Sequence, residues 1–331
     1  MKIGLNVPTH GVLARHGRDV FIEKVEPEDL QITKLAQRAE QLGYDSLWFP
    51  DHVLMPRVVA SSHTANPESG RNAYGEQPNM WDAAVTMGAV ASVTSRIRLA
   101  PSVLISPYRN PLSDARQFAT LDRLSNGRLI MAVGPGWCRE EFEAVGISFE
   151  QRGARTAECV QIYKLAWTEP WVQFHGRYYD FPDVSIDPKP VQKPRPPIYY
   201  GGVTVAGIKR ALRYCDGFYP IVTESDVNQA RFAQLRDQLH QTAEQIGRDM
   251  TGFDLITLVM CRLTTPTKSA HQQRPFLDGS AEEILSDMSK LASLGYSHCT
   301  LHLDVRSGTL TEFIEMMERI GEEVVPAAVR L

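Results

Sequence analysis

The sequence predicts an α/β protein: a closed (β/α)8 TIM barrel, one domain over residues 1–331, with long insertion loops at its C-terminal face. Three observations carry this expectation. Short apolar runs alternate eight times with amphipathic helical patterns, the signature of a parallel sheet. No shift in composition marks a domain boundary. The apolar run Ser46-Leu47-Trp48-Phe49 leads straight into Pro50-Asp51-His52. That places an acid and an imidazole at a strand end, where parallel barrels keep their chemistry. Eight repeats at this length fit a closed barrel better than an open doubly wound sheet, the alternative architecture.

Taken in order, residues 2–7 read as the first strand, and 27–42 as a helix with Pro27 near its start and Gly43 at its stop. Residues 46–49 form the second strand, 81–94 a helix and 97–104 the third strand. Asn110-Pro111 opens a helix that runs to about 125, before Asn126-Gly127. Strand four is 129–133, followed by a helix over 154–168. Strand five (198–200) leads through Gly201-Gly202 into a helix over 204–214, and strand six (217–222) into a long polar helix over 226–247. Strand seven is 254–261. Ser280 with Glu283 three residues on is a capping box that opens a helix to about 294. Strand eight (298–304) and a helix over 309–323 finish the pattern. Three connections, 53–79, 169–197 and 264–278, are too long to be plain links and read as lids or substrate walls.

Apolar residues make up 43% of the chain, enough for a sizeable core, and the net charge of −4 offers no attraction to nucleic acid or an anionic membrane. The N-terminus lacks a signal-peptide apolar stretch, and no apolar run reaches membrane-spanning length. The five cysteines (138, 159, 215, 261 and 299) are far apart with no C-x-x-C, so reduced thiols in the cytoplasm are expected. The partner class is then a small-molecule substrate.

The strand ends supply the candidate chemistry. Gly134-Pro135-Gly136-Trp137 and Gly201-Gly202-Val203-Thr204 put glycines where a backbone can approach a ligand closely. The second run enters a helix whose N–H groups and dipole favour an anion. Together they suggest a large flat cofactor carrying a phosphate. A Rossmann fingerprint is excluded, because Arg139 stands where a third glycine is needed, and there is no Walker A loop. His298 and His302 have metal-like spacing, but on a strand they lie about 13 Å apart, so no metal is expected. His302, and His10 just after the first strand, can face the barrel mouth as substrate-binding residues, with Trp137 lining the same pocket.

The motifs resemble one family, the bacterial luciferase-like flavin and deazaflavin oxidoreductases. The resemblance runs through residues 39–48, Pro50-Asp51-His52, Arg96-Ile97-Arg98-Leu99, residues 122–128 and Gly134-Pro135-Gly136-Trp137. It continues through residues 174–179, 188–194 and 197–202 and Asp216-Gly217-Phe218. It implies a homodimeric barrel that holds coenzyme F420 or, as the alternative, FMN. F420 members transfer a hydride. FMN members mostly activate oxygen, with reduced flavin fed by a partner flavin reductase. Asp51 and His52 resemble the catalytic pair of the F420 members, with His52 moving a proton and Asp51 orienting it or touching the cofactor. Ser102-Val103-Leu104 resembles their strand-three bulge, whose non-prolyl cis peptide backs the cofactor ring. The remaining implied cofactor contacts are Ile105, Gly134, Pro135, Glu140, Gly201, Gly202, Val203 and Thr204. One departure matters: where several members carry Gly-Glu after strand four, this chain has Pro135-Gly136-Trp137, so catalytic acids placed there do not transfer.

Overall fold

The computed structural model describes residues 1–9, 12–14, 21–61, 79–222, 228–264, 274–305 and 308–331. His10 and parts of two long connections, 62–78 and 265–273, lie outside the described residues. The barrel strands are β1 (Lys2–Asn6), β2 (Ser46–Phe49), β3 (Arg98–Pro101) and β4 (Met131–Gly134). They continue as β5 (Ile198–Gly201), β6 (Gly217–Tyr219), β7 (Asp254–Leu263) and β8 (His298–Leu303). All pair in parallel in the order β3-β2-β1-β8-β7-β6-β5-β4. The ring closes because Leu104–Ile105, a short continuation of β3, pairs with β4. Ile130 N–H also donates to Leu99 O at 2.8 Å, and Leu99 N–H to Arg128 O at 3.0 Å.

The outer ring comprises α1 (Ile32–Gln41), α2 (Ala83–Val93), α3 (Pro111–Leu124) and α4 (Arg152–Thr168). Next come α5 (Val205–Tyr214), α6 (Gln229–Gln245), α7 (Ala281–Ser293) and α8 (Leu310–Glu323). Local chemistry fixes their starts. The Asn110 side chain accepts the N–H groups of Leu112 and Ser113 ahead of Pro111, and Ser280 and Glu283 form the reciprocal capping box. Along the strands, alternate side chains divide between two cores. Trp48, Ala132, Tyr199, Tyr219 and Ile256 fill the barrel, while Leu47, Phe49, Val133 and Tyr200 face the helices.

Several expectations needed adjustment. The helix expected over 27–42 breaks at Gln31, which adopts left-handed φ of 43° without a glycine to announce it. Strand three is interrupted after Pro101, where the Ser102–Val103 peptide is cis, and strand six after Tyr219, at Pro220. The connection 169–197 is not at the C-terminal face. It joins the end of α4 to the start of β5, and its hairpin (Val172–His175 with Asp180–Val184) packs on the outside of α4. There Glu158 accepts the N–H groups of Arg177, Tyr178 and Tyr179.

Candidate functional site

Asp51 and His52 leave the end of β2 in opposite company. Asp51 is buried, and both its carboxylate oxygens accept from Arg109, at 2.7 and 2.6 Å, while Oδ2 also accepts the Ile105 N–H at 2.9 Å. This bidentate clamp ties β2 to the segment after β3. His52 is held by a different acid: Nδ1 lies 2.8 Å from Glu141 Oε2, with side-chain exposures of 5% and 0%. Orientation of the imidazole, expected from Asp51, therefore comes from Glu141. Ile105, expected at the cofactor, has its N–H turned to Asp51.

Glu141 sits on a short helix, Arg139–Ala144, that follows β4. Its Oε1 accepts the N–H groups of Val53 at 2.8 Å and Leu54 at 3.3 Å, and Oε2 accepts the Tyr108 hydroxyl at 2.8 Å. Burial works to raise its pKa, but the hydrogen bonds from His52, Tyr108 and Val53 prevail and hold the carboxyl below its usual range. An ionised Glu141 keeps the proton of the neutral imidazole on Nδ1. Glu140 has parallel duties. It accepts the N–H groups of Ala60 at 2.7 Å and Ser61 at 3.0 Å. Burial opposes those bonds and the one from the Ser61 hydroxyl, yet they bring its pKa down to about 2. The carboxylate expected at the cofactor thus staples the loop after β2.

Next to His52, Trp137 lies edge-on at 6.0 Å between ring centroids and is half-buried. The Ser102 hydroxyl is 3.1 Å from the Tyr219 hydroxyl inside the barrel. Val103 lies across β4 and β5: a Cβ added at Gly134 would fall 2.4 Å from its Cγ2, and one at Gly201 would fall 2.7 Å from its Cγ1. The two glycines thus admit the two methyl groups of Val103. Gly136 (φ 78°) turns the chain after Pro135, where a Cβ would meet Ile105.

Beyond Gly201 the chain enters α5, whose N-cap is Thr204, its hydroxyl accepting from Gly207 N–H at 3.1 Å. The Gly202 N–H, expected to hold a phosphate, donates to Tyr219 O at 3.3 Å. The half-buried Val203 packs on the core. Anion-binding capacity lies in the first turn of α5 and in a basic group beside it. The Tyr200 hydroxyl is buried next to the guanidinium groups of Arg210 and Arg152. Burial and the like charges of Arg139 and Arg210 lower the Arg152 pKa. Converging guanidinium groups suit an anion. An apolar side chain at the end of β3, with this basic corner beyond β5, would suit a flavin-type ring bearing a phosphate.

Of the remaining expectations, His302 is half-buried on β8, and burial pushes its pKa down to about 4, so it is neutral at physiological pH. His298 is buried with its Nε2 3.0 Å from the Ser46 hydroxyl, and burial brings its pKa down to about 3. Among the described residues no three His, Cys, Asp or Glu groups gather closely enough to hold a metal ion. Sequence reasoning missed Glu141, Tyr108 and Arg109. The available signal was the pair Glu140-Glu141 opening a short helix just beyond a glycine turn.

The sequence matches the luciferase-like monooxygenase family over residues 4–319. It is 37% identical over 206 residues to the F420-dependent glucose-6-phosphate dehydrogenase of Amycolatopsis mediterranei, covering 61% of this chain and 56% of that protein. It is 32% identical over 149 residues to the FMNH2-dependent dimethylsulfone monooxygenase of Pseudomonas putida, covering 44% and 40%. The fold superposes on an F420-dependent secondary alcohol dehydrogenase in complex with an F420-acetone adduct, with TM-score 0.70, 20% identity and coverage of 99% and 98%. A family match across almost the whole length, on a closed barrel with these strand ends, means that the chain belongs to the luciferase-like monooxygenase family of oxidoreductases.

Proposed function

We propose that this enzyme is a coenzyme F420-dependent oxidoreductase acting on a small organic substrate. The observation that carries the reading is the buried His52–Glu141 pair, beside Trp137 and on the same strand-end face as Val103. The bound deazaflavin would supply the hydride chemistry. Interconverting an alcohol and a carbonyl also moves a proton at oxygen, and an imidazole fixed through Nδ1 exchanges it at Nε2. Glu141 holds the ring in that tautomer and stabilises the imidazolium. Trp137 and the stapled loop at 53–61 exclude water around it. Val103 would support the cofactor ring, and the first turn of α5 with Arg152 and Arg210 would take the phosphate. Asp51 acts by fixing the end of β2 rather than by touching substrate.

The 32% identity to an FMNH2-dependent monooxygenase keeps one alternative: FMN-dependent oxygen activation with a partner flavin reductase. Titration of the purified protein with F420 and with FMN separates the two. Tight F420 binding and substrate-dependent bleaching of F420 without oxygen uptake are expected; FMN binding alone, with oxygen consumed, would reverse the assignment. We further propose a homodimer, supported by the surface of α2 and α3, in keeping with the expected cytoplasmic setting. The helix α2, AAVTMGAVASV, is apolar around its circumference, yet Val85 is 70% exposed. Leu124 on α3 is 67% exposed at the rim of the intervening groove of about 460 Å³.

A further inference from the structure

We propose that Tyr108 is a positioning residue that sets how readily His52 takes up a proton, acting through Glu141. Tyr108 belongs to the short turn Ser106–Tyr108 after β3 and packs edge-on against Phe142 at 4.5 Å. Its hydroxyl and His52 Nδ1 share one oxygen of Glu141, each at 2.8 Å. Burial, then the charge of Glu141, raises the Tyr108 pKa far above its usual value, so the phenol is a permanent donor. A hydrogen bond donated to a carboxylate oxygen draws charge from it. Tyr108 therefore limits the negative charge that Oε2 presents to the imidazole. Without that hydroxyl Glu141 becomes more basic, the imidazolium is better stabilised, and His52 holds its proton to higher pH.

Among the described residues, the other charged and titratable groups nearby are engaged elsewhere or uncharged. From β2, Asp51 is neutralised by Arg109. From the short helix, Glu140 is turned to the N–H groups of Ala60 and Ser61. The Cys138 thiol, pushed up to about 12 chiefly by burial, is uncharged. The inference rests on the proposed role of His52 for its catalytic meaning, while its physical content is independent of any cofactor.

The test uses the full chain without cofactor, 15N-labelled at histidine, with the His52 signal assigned by its loss in His52→Asn. Tyr108→Phe keeps the packing on Phe142 and removes the hydroxyl; Tyr108→Met is a second variant without it. The imidazole titration of His52 is expected to move up by about half a unit, with the proton still on Nδ1 in the neutral form. A midpoint that does not move in folded Tyr108→Phe or Tyr108→Met overturns the proposal. The pH profile of kcat measured on the loaded enzyme answers a separate question. A limb that moves with the NMR midpoint supports both readings, with KM unchanged. A moved midpoint with an unmoved limb upholds the Tyr108 coupling and removes His52 as the proton carrier.

Discussion

Tyr108 and Arg109, neighbours in sequence, hold the two strand-end groups Asp51 and His52 from one side: Arg109 directly, Tyr108 through Glu141. Such a buried arrangement holds the imidazole in place through Nδ1. His52→Ala is expected to lower turnover about 10²- to 10⁴-fold, with cofactor affinity little changed. Steady-state rates and cofactor titration check this, and unchanged turnover would remove His52 from the mechanism. A second buried carboxyl, Asp114, accepts from the Tyr163 hydroxyl at 2.8 Å. Burial, opposed by Arg109, brings its pKa up to about 7. In the unfolded chain the same group ionises near 4, about the reference value. Between those values the folded chain keeps a proton that the unfolded chain releases, so stability falls as pH rises through this window. Asp114→Asn should therefore raise the melting temperature at pH 8 and leave it nearly unchanged at pH 4. An equal effect at both would show that ionisation is not the cause.

At the scale of elements, the motifs that carry the family resemblance divide by barrel end. Those near strand starts are structural. Arg128 donates to the carbonyls of Ala91, Thr94 and Ile97, Asp122 accepts the N–H groups of Val191 and Gln192, and Asp216 pairs with Arg195 and takes the Ile198 N–H. Those at strand ends build the site. The segment after β3 is coupled to β4 and β5 through one side chain, because Gly134 and Gly201 leave room only for Val103. Gly201→Ala should cost about 1–3 kcal/mol by overpacking and weaken cofactor binding. Adding Val103→Ala should restore much of the stability, measured by urea unfolding. Equal destabilisation with and without the second change would mean that the clash lies elsewhere.

For the whole molecule, the closed barrel puts the ends of β2, β4 and β5 on one face, and the exposed apolar strip on α2 and α3 lies on the outer wall. Val85→Glu places a charge on that strip. The wild type is expected to run as a dimer in light scattering and the variant as a monomer, with its fold retained by circular dichroism. A monomeric wild type would refute the proposed interface. Among the described residues no helix is long and apolar enough to cross a membrane, and all five cysteines are buried free thiols.

The sequence alone determined the eightfold alternation, most helix starts and the strand-end location of Asp51-His52, because periodicity, caps and glycine stops are local physics. It also marked Ser102-Val103 as the break in strand three, through resemblance to a known motif. Only the tertiary structure decided which acid serves which base. Glu141 is 89 residues from His52, and Arg109 is 58 from Asp51. No local pattern records such separations; they arise when barrel closure brings the ends of β2, β3 and β4 together. The same closure turned Gly202 N–H toward Tyr219 and put Val103 over two glycines. The 169–197 insertion went to the outside of α4 because a connection from a helix to a strand leaves from the opposite face.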